Sequence, residues 1–521
     1  MSVTVSDCVA LLISCVLFKT YLDKRRNPSG LPLPPGPTRL PILGNFLDVP
    51  VRTSWETYAS WAKRYGDIMS LEVFGETIVV INSMEIARNL LEKRGAIYSD
   101  RPAITAYEVM KYDHFITVTR YGRYWKNCRK ITDHVLRQSA AMAYRSMQTQ
   151  KVAEFLAKLV YTPDQVLYHI KHLSASVVMS FTYGLEIADF NDRYVALAET
   201  TNIRGTASIL PGATHLNTFP FLKHLPTWLP GMSFKKKALI AAEEVQEAIN
   251  APFDFAVSEF QKGTAESSFV LRSLELSSET DDTEISDEVI KNTATGIYLA
   301  GADTTISILS TFFLVLALHP EIQTRAQAEI DTVVGRERLP EFEDRPRMPY
   351  IDAICRELLR WKMVTPLALP HATTEDDIYE GYFIPKVTYR IPCSFTLVRH
   401  HSRSILHDPA VYPDPDTFRP ERFLAPDGSL VEDPNLISAF GFGRRICPGR
   451  FFADASIWTV VSSVLSSFTV RKATDARGNE IPVKGEYSDD RVLCHPYPFK
   501  CSIAPRDKWA EGLISQTASK A

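Results

Sequence analysis

"AFGFGRRICPGRFFA", Ala439 to Ala453, sets one cysteine among glycines, arginines and aromatic rings. A cysteine in such a place is a buried structural thiol, a nucleophile or a metal ligand, and the first is the commonest state. Gly441, Gly443 and Gly449 permit tight turns and the close approach of a flat ligand, while nearby amides and arginines favour thiolate over thiol at Cys447. A nucleophile wants a partner histidine, yet His371, His400, His401, His407 and His495 form no readable nucleophile pattern. Zinc wants three further ligands at local spacing, and none is present.

One thiolate in a glycine–arginine loop suits the axial ligand of haem iron. The rest of the chain bounds where such a site sits. Its 521 residues are 45% hydrophobic and 23% charged, ordinary globular values, and a net charge of -3 gives no global attraction to nucleic acid, which is excluded as a partner. Eight cysteines are scattered without a repeated CxxC pair, as in a reducing compartment. No Asn-x-Ser/Thr acceptor with a permitted middle residue occurs, which agrees with a body that never faces the secretory lumen.

At the N-terminus "VALLISCVLF", Val9 to Phe18, is short for a hydrocarbon layer that takes about 20 helical residues, but extended from Val3 to Leu22 it reaches across, with Asp7 near one mouth. A cleaved signal peptide competes with this reading. The basic residues Lys19, Lys24, Arg25 and Arg26 follow the run instead of preceding it, which favours an uncleaved anchor with the remaining chain in the cytosol. The expected organisation is a transmembrane anchor at 1–22, a basic and proline-rich hinge at 23–45, a body at 46–510 and a tail at 511–521. Within the hinge, "LPLPPGPTRLPILGN", Leu31 to Asn45, reads as a stiff spacer.

In the body, Val289 to Pro320 lacks a strong breaker until Pro320 and predicts one very long helix. Its apolar half, Ile306 to Leu318, is too short for a span, and Asp303, Thr304 and Thr305 interrupt the longer window, so a helix through a large core fits better. The acidic "ELSSETDDTEISDE", Glu275 to Glu288, reads as an exposed loop with Ser286 capping the helix that follows. Further helices are expected around Trp55–Tyr65, Tyr121–Arg137, Ala241–Lys262, Pro320–Gly335 and Tyr350–Lys362, and a hairpin over Ile68–Asn82. The fold class is mainly α with a small β-rich lobe.

"FGFGRRICPG", Phe440 to Gly449, resembles the haem-binding loop of the cytochrome P450 superfamily, with Phe440, Gly443, Arg445, Cys447 and Gly449 at the family spacing. Other elements of that family follow in order. "ELLR" and "FRPERF" supply Glu357, Arg360 and Arg422, which the resemblance implies form a buried charge triad. "AGADTT" places Ala300 and Gly301 at an oxygen-binding groove, with Asp303 and Thr304 as the proton-delivery pair. "WKNCR" places Trp125 and Arg129 on a haem propionate, with His371 and Arg445 at the other anionic edge, while Phe440 shields the sulfur. Cations there answer the carboxylates of the cofactor.

The resemblance implies the cytochrome P450 fold, haem b as cofactor with Cys447 as its axial ligand, and monooxygenation of a small or medium hydrophobic molecule. The style of "HDPAVYPDPDTFRPERFL" is similar to fungal, mushroom-type microsomal members, which act in terpenoid or aromatic secondary metabolism and in xenobiotic detoxification. No flavin or nicotinamide fingerprint occurs, so electrons are expected from NADPH-cytochrome P450 reductase, with cytochrome b5 a second possible donor, at the endoplasmic reticulum membrane lipid. Two rivals stay open: a haem-thiolate isomerase or dehydratase that uses no dioxygen, and a non-catalytic haem-binding membrane protein. The segment after "GYFIPK" departs from the family. It is longer and lacks the glycine expected after Lys386, so Val387 to Phe395 reads as an insertion or a retained-intron error.

Overall fold

In the computed structural model Ser286 accepts a hydrogen bond from the Val289 amide at 3.4 Å and starts the helix Asp287–Leu318. Asp287 and Glu288 then lie in its first turn, where carboxylates meet the positive end of the helix dipole. The structure describes residues 24–41, 43–50, 52–209, 214–280, 284–386, 396–488 and 492–520, with isolated positions before 24. The Asp287–Leu318 helix is apolar enough to cross a membrane, with a mean hydropathy of 1.7 over its best window, but 67% of that window is buried by protein. It is the central beam of the core, and its second half, from Ser307 to Ala317, is buried throughout.

Around it pack the helices Arg123–Leu136, Val166–Tyr183, Ser233–Lys262, Phe269–Thr280 and Arg450–Ser467. Pro320 opens the next helix, Pro320–Val333, at the position where a missing amide costs nothing, and Pro349 does the same for Pro349–Trp361. Two expectations shift. The helix expected from Ala241 begins at Ser233, and the acidic segment from Glu275 is partly helical, since Phe269–Thr280 forms a helix. Phe269 and Val270 are fully buried, and their packing outweighs the weak helix propensity of the serines and threonines that follow.

The β lobe is built on β1 (Ile68–Val73) and β2 (Glu76–Ile81), joined at Phe74 and Gly75, both at positive φ. β2 takes β6 (Thr396–His400) in parallel, with Thr77 beside Thr396, and β6 takes β3 (His371–Ala372) antiparallel, giving the order β1-β2-β6-β3. Two antiparallel pairs stand apart: β4 (Asp377–Tyr379) with β5 (Tyr382–Ile384), and β7 (Phe468–Lys472) with β8 (Cys501–Pro505).

The proline-rich segment and the C-terminal segment both make contacts with the body. From Pro32 onward the proline-rich segment is pinned to the lobe: Pro32 accepts from the Phe383 amide (2.8 Å) and Pro35 from the Ser70 amide (2.7 Å). An added Cβ at Gly36 would lie 1.9 Å from the Ser70 carbonyl oxygen, so only glycine allows this approach. At the other end Lys508–Lys520 is a helix with Ala510 and Ile514 buried, so the segment set off at 511 packs on the body. The anchor expected over Val3–Leu22 falls largely, and Val387–Phe395 entirely, outside the described residues.

Candidate active site

The cysteine loop is folded back on itself by its own backbone. The Cys447 amide donates to the Phe440 carbonyl at 2.8 Å, and the Ile446 amide to the Gly443 carbonyl at 3.2 Å. Gly443 sits at φ 55°, and a Cβ there would lie 2.1 Å from the Leu91 carbonyl oxygen, so the loop can lie against this neighbouring segment only with glycine. At Gly449 an added Cβ would meet nothing nearer than the Cys447 sulfur at 4.0 Å. Arg450 starts the helix Arg450–Ser467 immediately afterwards, and its Nη1 donates to the Cys447 carbonyl at 3.1 Å.

Burial pushes the Cys447 thiol pKa up, and the Gly449 amide, Arg129 and Arg450 oppose it without prevailing. The Gly449 amide, Arg129 and Arg450 thus favour the thiolate as expected, against the cost of burying its charge. No group of three or more His, Cys, Asp or Glu suited to a metal occurs among the described residues, so a metal here would take a single protein sulfur.

Beside the loop lie Arg445, half-buried, and Arg101 and His371, both buried. Arg445 stacks on Trp125 at 4.4 Å and donates to the carbonyls of Ser99 (2.8 Å), Thr119 (2.9 Å) and Ile116 (3.3 Å). Arg101 donates to Thr117 (3.0 Å), Leu369 (3.0 Å) and Pro370 (2.7 Å). Neither guanidinium pairs with a carboxylate among the described residues, and Asp100 is taken by Arg120 at 2.8 Å and by the amides of Arg101 and Tyr121. Burial, with Arg101 next, lowers the Arg445 pKa. Burial, then Arg101 and His400, lowers that of His371, whose Nδ1 donates to the Tyr98 carbonyl at 2.8 Å. Two guanidiniums hydrogen-bonded only to carbonyls, with Asp100 as the nearby negative charge, fit a further anionic group such as the propionate edge of haem. Arg129 is used differently: it donates to the Ile446 carbonyl at 2.6 Å and pairs with Asp133, bracing the residue before the cysteine.

Midway along the central helix the side chains open. Ala300 is exposed and Gly301, Asp303 and Thr304 are half-buried, between stretches that are buried almost throughout. The Thr304 hydroxyl donates to the Ala300 carbonyl (2.9 Å), a local helix bond, and Thr305 does the same to Gly301 (2.7 Å). An added Cβ at Gly301 would meet Val178 at 3.2 Å, so its size also serves the packing of the Val166–Tyr183 helix. Asp303 does not turn to Thr304. Its Oδ1 lies 3.2 Å from His495 Nε2.

Elsewhere, Glu357 joins Arg360 and Arg422. Arg360 reaches it at 2.6 and 2.8 Å, Arg422 at 3.1 Å, and the Arg419 amide at 2.9 Å. Two features of the site carry no signal in the sequence: Arg101 sits in "SDRP", an unremarkable string, and the pairing of His495 with Asp303 is tertiary.

The cytochrome P450 family profile matches residues 34–502. Cytochrome P450 monooxygenase 208 of Postia placenta is 40% identical over 509 residues, covering 97% of this chain and 96% of that protein. Cytochrome P450 monooxygenase claR of Ampulloclitocybe clavipes is 37% identical over 516 residues (98% and 93%), and ple1 of Rhodocybe pseudopiperita, also named a cytochrome P450 monooxygenase, 40% over 490 (92% and 91%).

Proposed function

The chain belongs to the cytochrome P450 family, and from that premise we propose that Cys447 is the axial ligand of its haem b and that Arg445, Arg101 and His371, with Trp125 beneath Arg445, receive the propionates. The family holds haem b through a cysteine thiolate, and the chain is a monooxygenase of that kind. Bound there, the cofactor supplies the activation of dioxygen. The observation that carries the residue assignment is a pair of guanidiniums, Arg101 buried and Arg445 half-buried, that donate only to carbonyls beside the half-buried Cys447.

The chain's own residues bind, orient and move protons. Asp303 Oδ1 and Thr304 Oγ1 hold and pass protons toward the reacting oxygen, and Arg129 keeps the loop before Cys447 in place through Ile446. Glu357, Arg360 and Arg422 tie the Pro349–Trp361 helix to the segment Pro413–Phe423. The substrate is a small or medium hydrophobic molecule, terpenoid, aromatic or xenobiotic, in fungal secondary metabolism or detoxification. Tyr112 and Phe115, packed edge-on at 4.7 Å, and Val364 and Leu369 support an apolar enclosure.

Electrons come from NADPH-cytochrome P450 reductase, with cytochrome b5 as an auxiliary donor. Lys126 and Arg444, on the same Tyr121 ring at 5.5 and 5.3 Å, present positive charge near the cysteine loop for docking. Residues 1–22 anchor the protein in the lipid of the endoplasmic reticulum with the body, 46–510, in the cytosol. Reconstitution with reductase, NADPH and isotopically labelled dioxygen, over a panel of terpenes and aromatics, tests this reading. Label in a product supports it, while unlabelled rearrangement or dehydration products would support the dioxygen-independent rival.

A further inference from the structure

The contact between His495 and Asp303 is built, and nothing in the family assignment requires it. His495 belongs to a hairpin near the C-terminus whose two limbs are closed by the Tyr487–Pro496 bridge and by the Tyr497 amide on the Glu486 carbonyl (2.9 Å). The His495 amide donates to Ser488 Oγ at 3.0 Å, and its carbonyl accepts from the Ser488 amide at 2.8 Å. The preceding residue fastens the hairpin to the body twice: the Cys494 carbonyl accepts from Ser307 Oγ on the central helix at 2.5 Å, and its amide donates to the Val364 carbonyl at 2.8 Å. Ser307 lies one helical turn beyond Asp303, so the same hairpin grips the helix and sets the imidazole against the carboxylate.

We propose that His495 is the outer member of the proton relay, a positioning residue that orients Asp303 and resupplies it with protons. The proposal rests on the monooxygenase reading above. In the relay step a proton leaves His495 Nε2 for Asp303 Oδ1, converting imidazolium and carboxylate to neutral imidazole and carboxylic acid. Asp303 then gives that proton inward to the reacting oxygen, returning to carboxylate, and His495 recovers one from water. No electrons move in these transfers. Thr304 Oγ1 donates its own proton to the Ala300 carbonyl, which leaves its lone pairs free to accept a hydrogen bond. The other titratable groups around the pair are Tyr112, which feels the charge of Asp303, and Cys494 and Tyr487 of the hairpin.

The purified full-length holoenzyme tests this in two ways. Diethyl pyrocarbonate labelling of His495, followed by peptide mass spectrometry, reads the pairing itself. Labelling is expected to be several-fold faster in Asp303→Asn than in the wild type, because Nε2 lies 3.2 Å from the carboxylate and is engaged by it; equal rates would overturn the pairing. The second test is NADPH-driven dioxygen consumption with reductase and no added substrate. His495→Gln keeps a hydrogen bond to Asp303 but cannot relay a proton, and His495→Phe removes both. Both variants are expected to slow by about tenfold or more and to show a larger solvent isotope effect. A normal reduced carbon-monoxide band with unchanged rates in both variants would overturn the relay alone. Absence of that band in the wild type would instead overturn the haem-thiolate reading beneath it.

Discussion

Glu357 holds Arg360 through two guanidinium nitrogens, Nε at 2.6 Å and Nη2 at 2.8 Å, and neither side chain reaches solvent. Arg422 adds a second cation at 3.1 Å, so one carboxylate is shared by two guanidiniums. Removing the carboxylate leaves both stranded. Glu357→Gln is therefore expected to lower stability by about 3–5 kcal/mol, measured as a shift in chemical denaturation midpoint, and an unshifted midpoint would contradict the triad.

Arg445 has the opposite character, because in the chain alone it is a half-buried charge that donates to carbonyls only. Arg445→Leu is expected to stabilise the haem-free protein, or leave it unchanged, while weakening haem retention during gel filtration. A variant that destabilised the haem-free chain yet kept haem normally would reverse the assignment of Arg445 to the propionate edge.

Acid should destabilise the fold through buried histidines. Burial, assisted by Arg403, lowers the pKa of His401 to about 3 and that of His407 to about 2. In the unfolded chain a histidine protonates near pH ~6.5. Between that value and the folded pKa the unfolded state binds more protons, so stability falls as pH falls, by up to about 1.4 kcal/mol per pH unit for each group. Above pH ~6.5 both states are neutral and the contribution is flat. Denaturation midpoints across this range should show the slope, and His407→Gln should make it shallower; a slope that the substitution leaves alone would remove His407 from the account.

The two loop glycines should respond differently. Gly443→Ala places a methyl 2.1 Å from the Leu91 carbonyl oxygen at a φ of 55° and should abolish haem incorporation. Gly449→Ala has its nearest neighbour at 4.0 Å and should still bind haem, with a shifted Soret band because the methyl lies beside the sulfur. Haem content per chain checks both, and equal loss in the two variants would contradict the loop geometry.

These positions show what a sequence can carry. The central helix was legible because no breaker interrupts it and Ser286 caps it, both local facts. Glu357, Arg360, Arg422 and Cys447 were legible because each sits in a short recognisable string. The Phe269–Thr280 helix was hidden by a polar surface sequence whose stability comes from two buried residues at its start. The docking of the proline-rich segment depends on Ser70 and Phe383, which pattern alone does not bring near. For the same reason the role of Arg101 and the pairing of His495 with Asp303 were not legible: both arise from contacts between segments distant along the chain.

The central claim is that Cys447 is the sulfur ligand of a haem, and the reduced carbon-monoxide difference spectrum of the wild type and of Cys447→Ala measures it most directly. The account predicts a thiolate-shifted Soret band in the wild type that is absent from the variant. The same band in both proteins, or in neither, would contradict it.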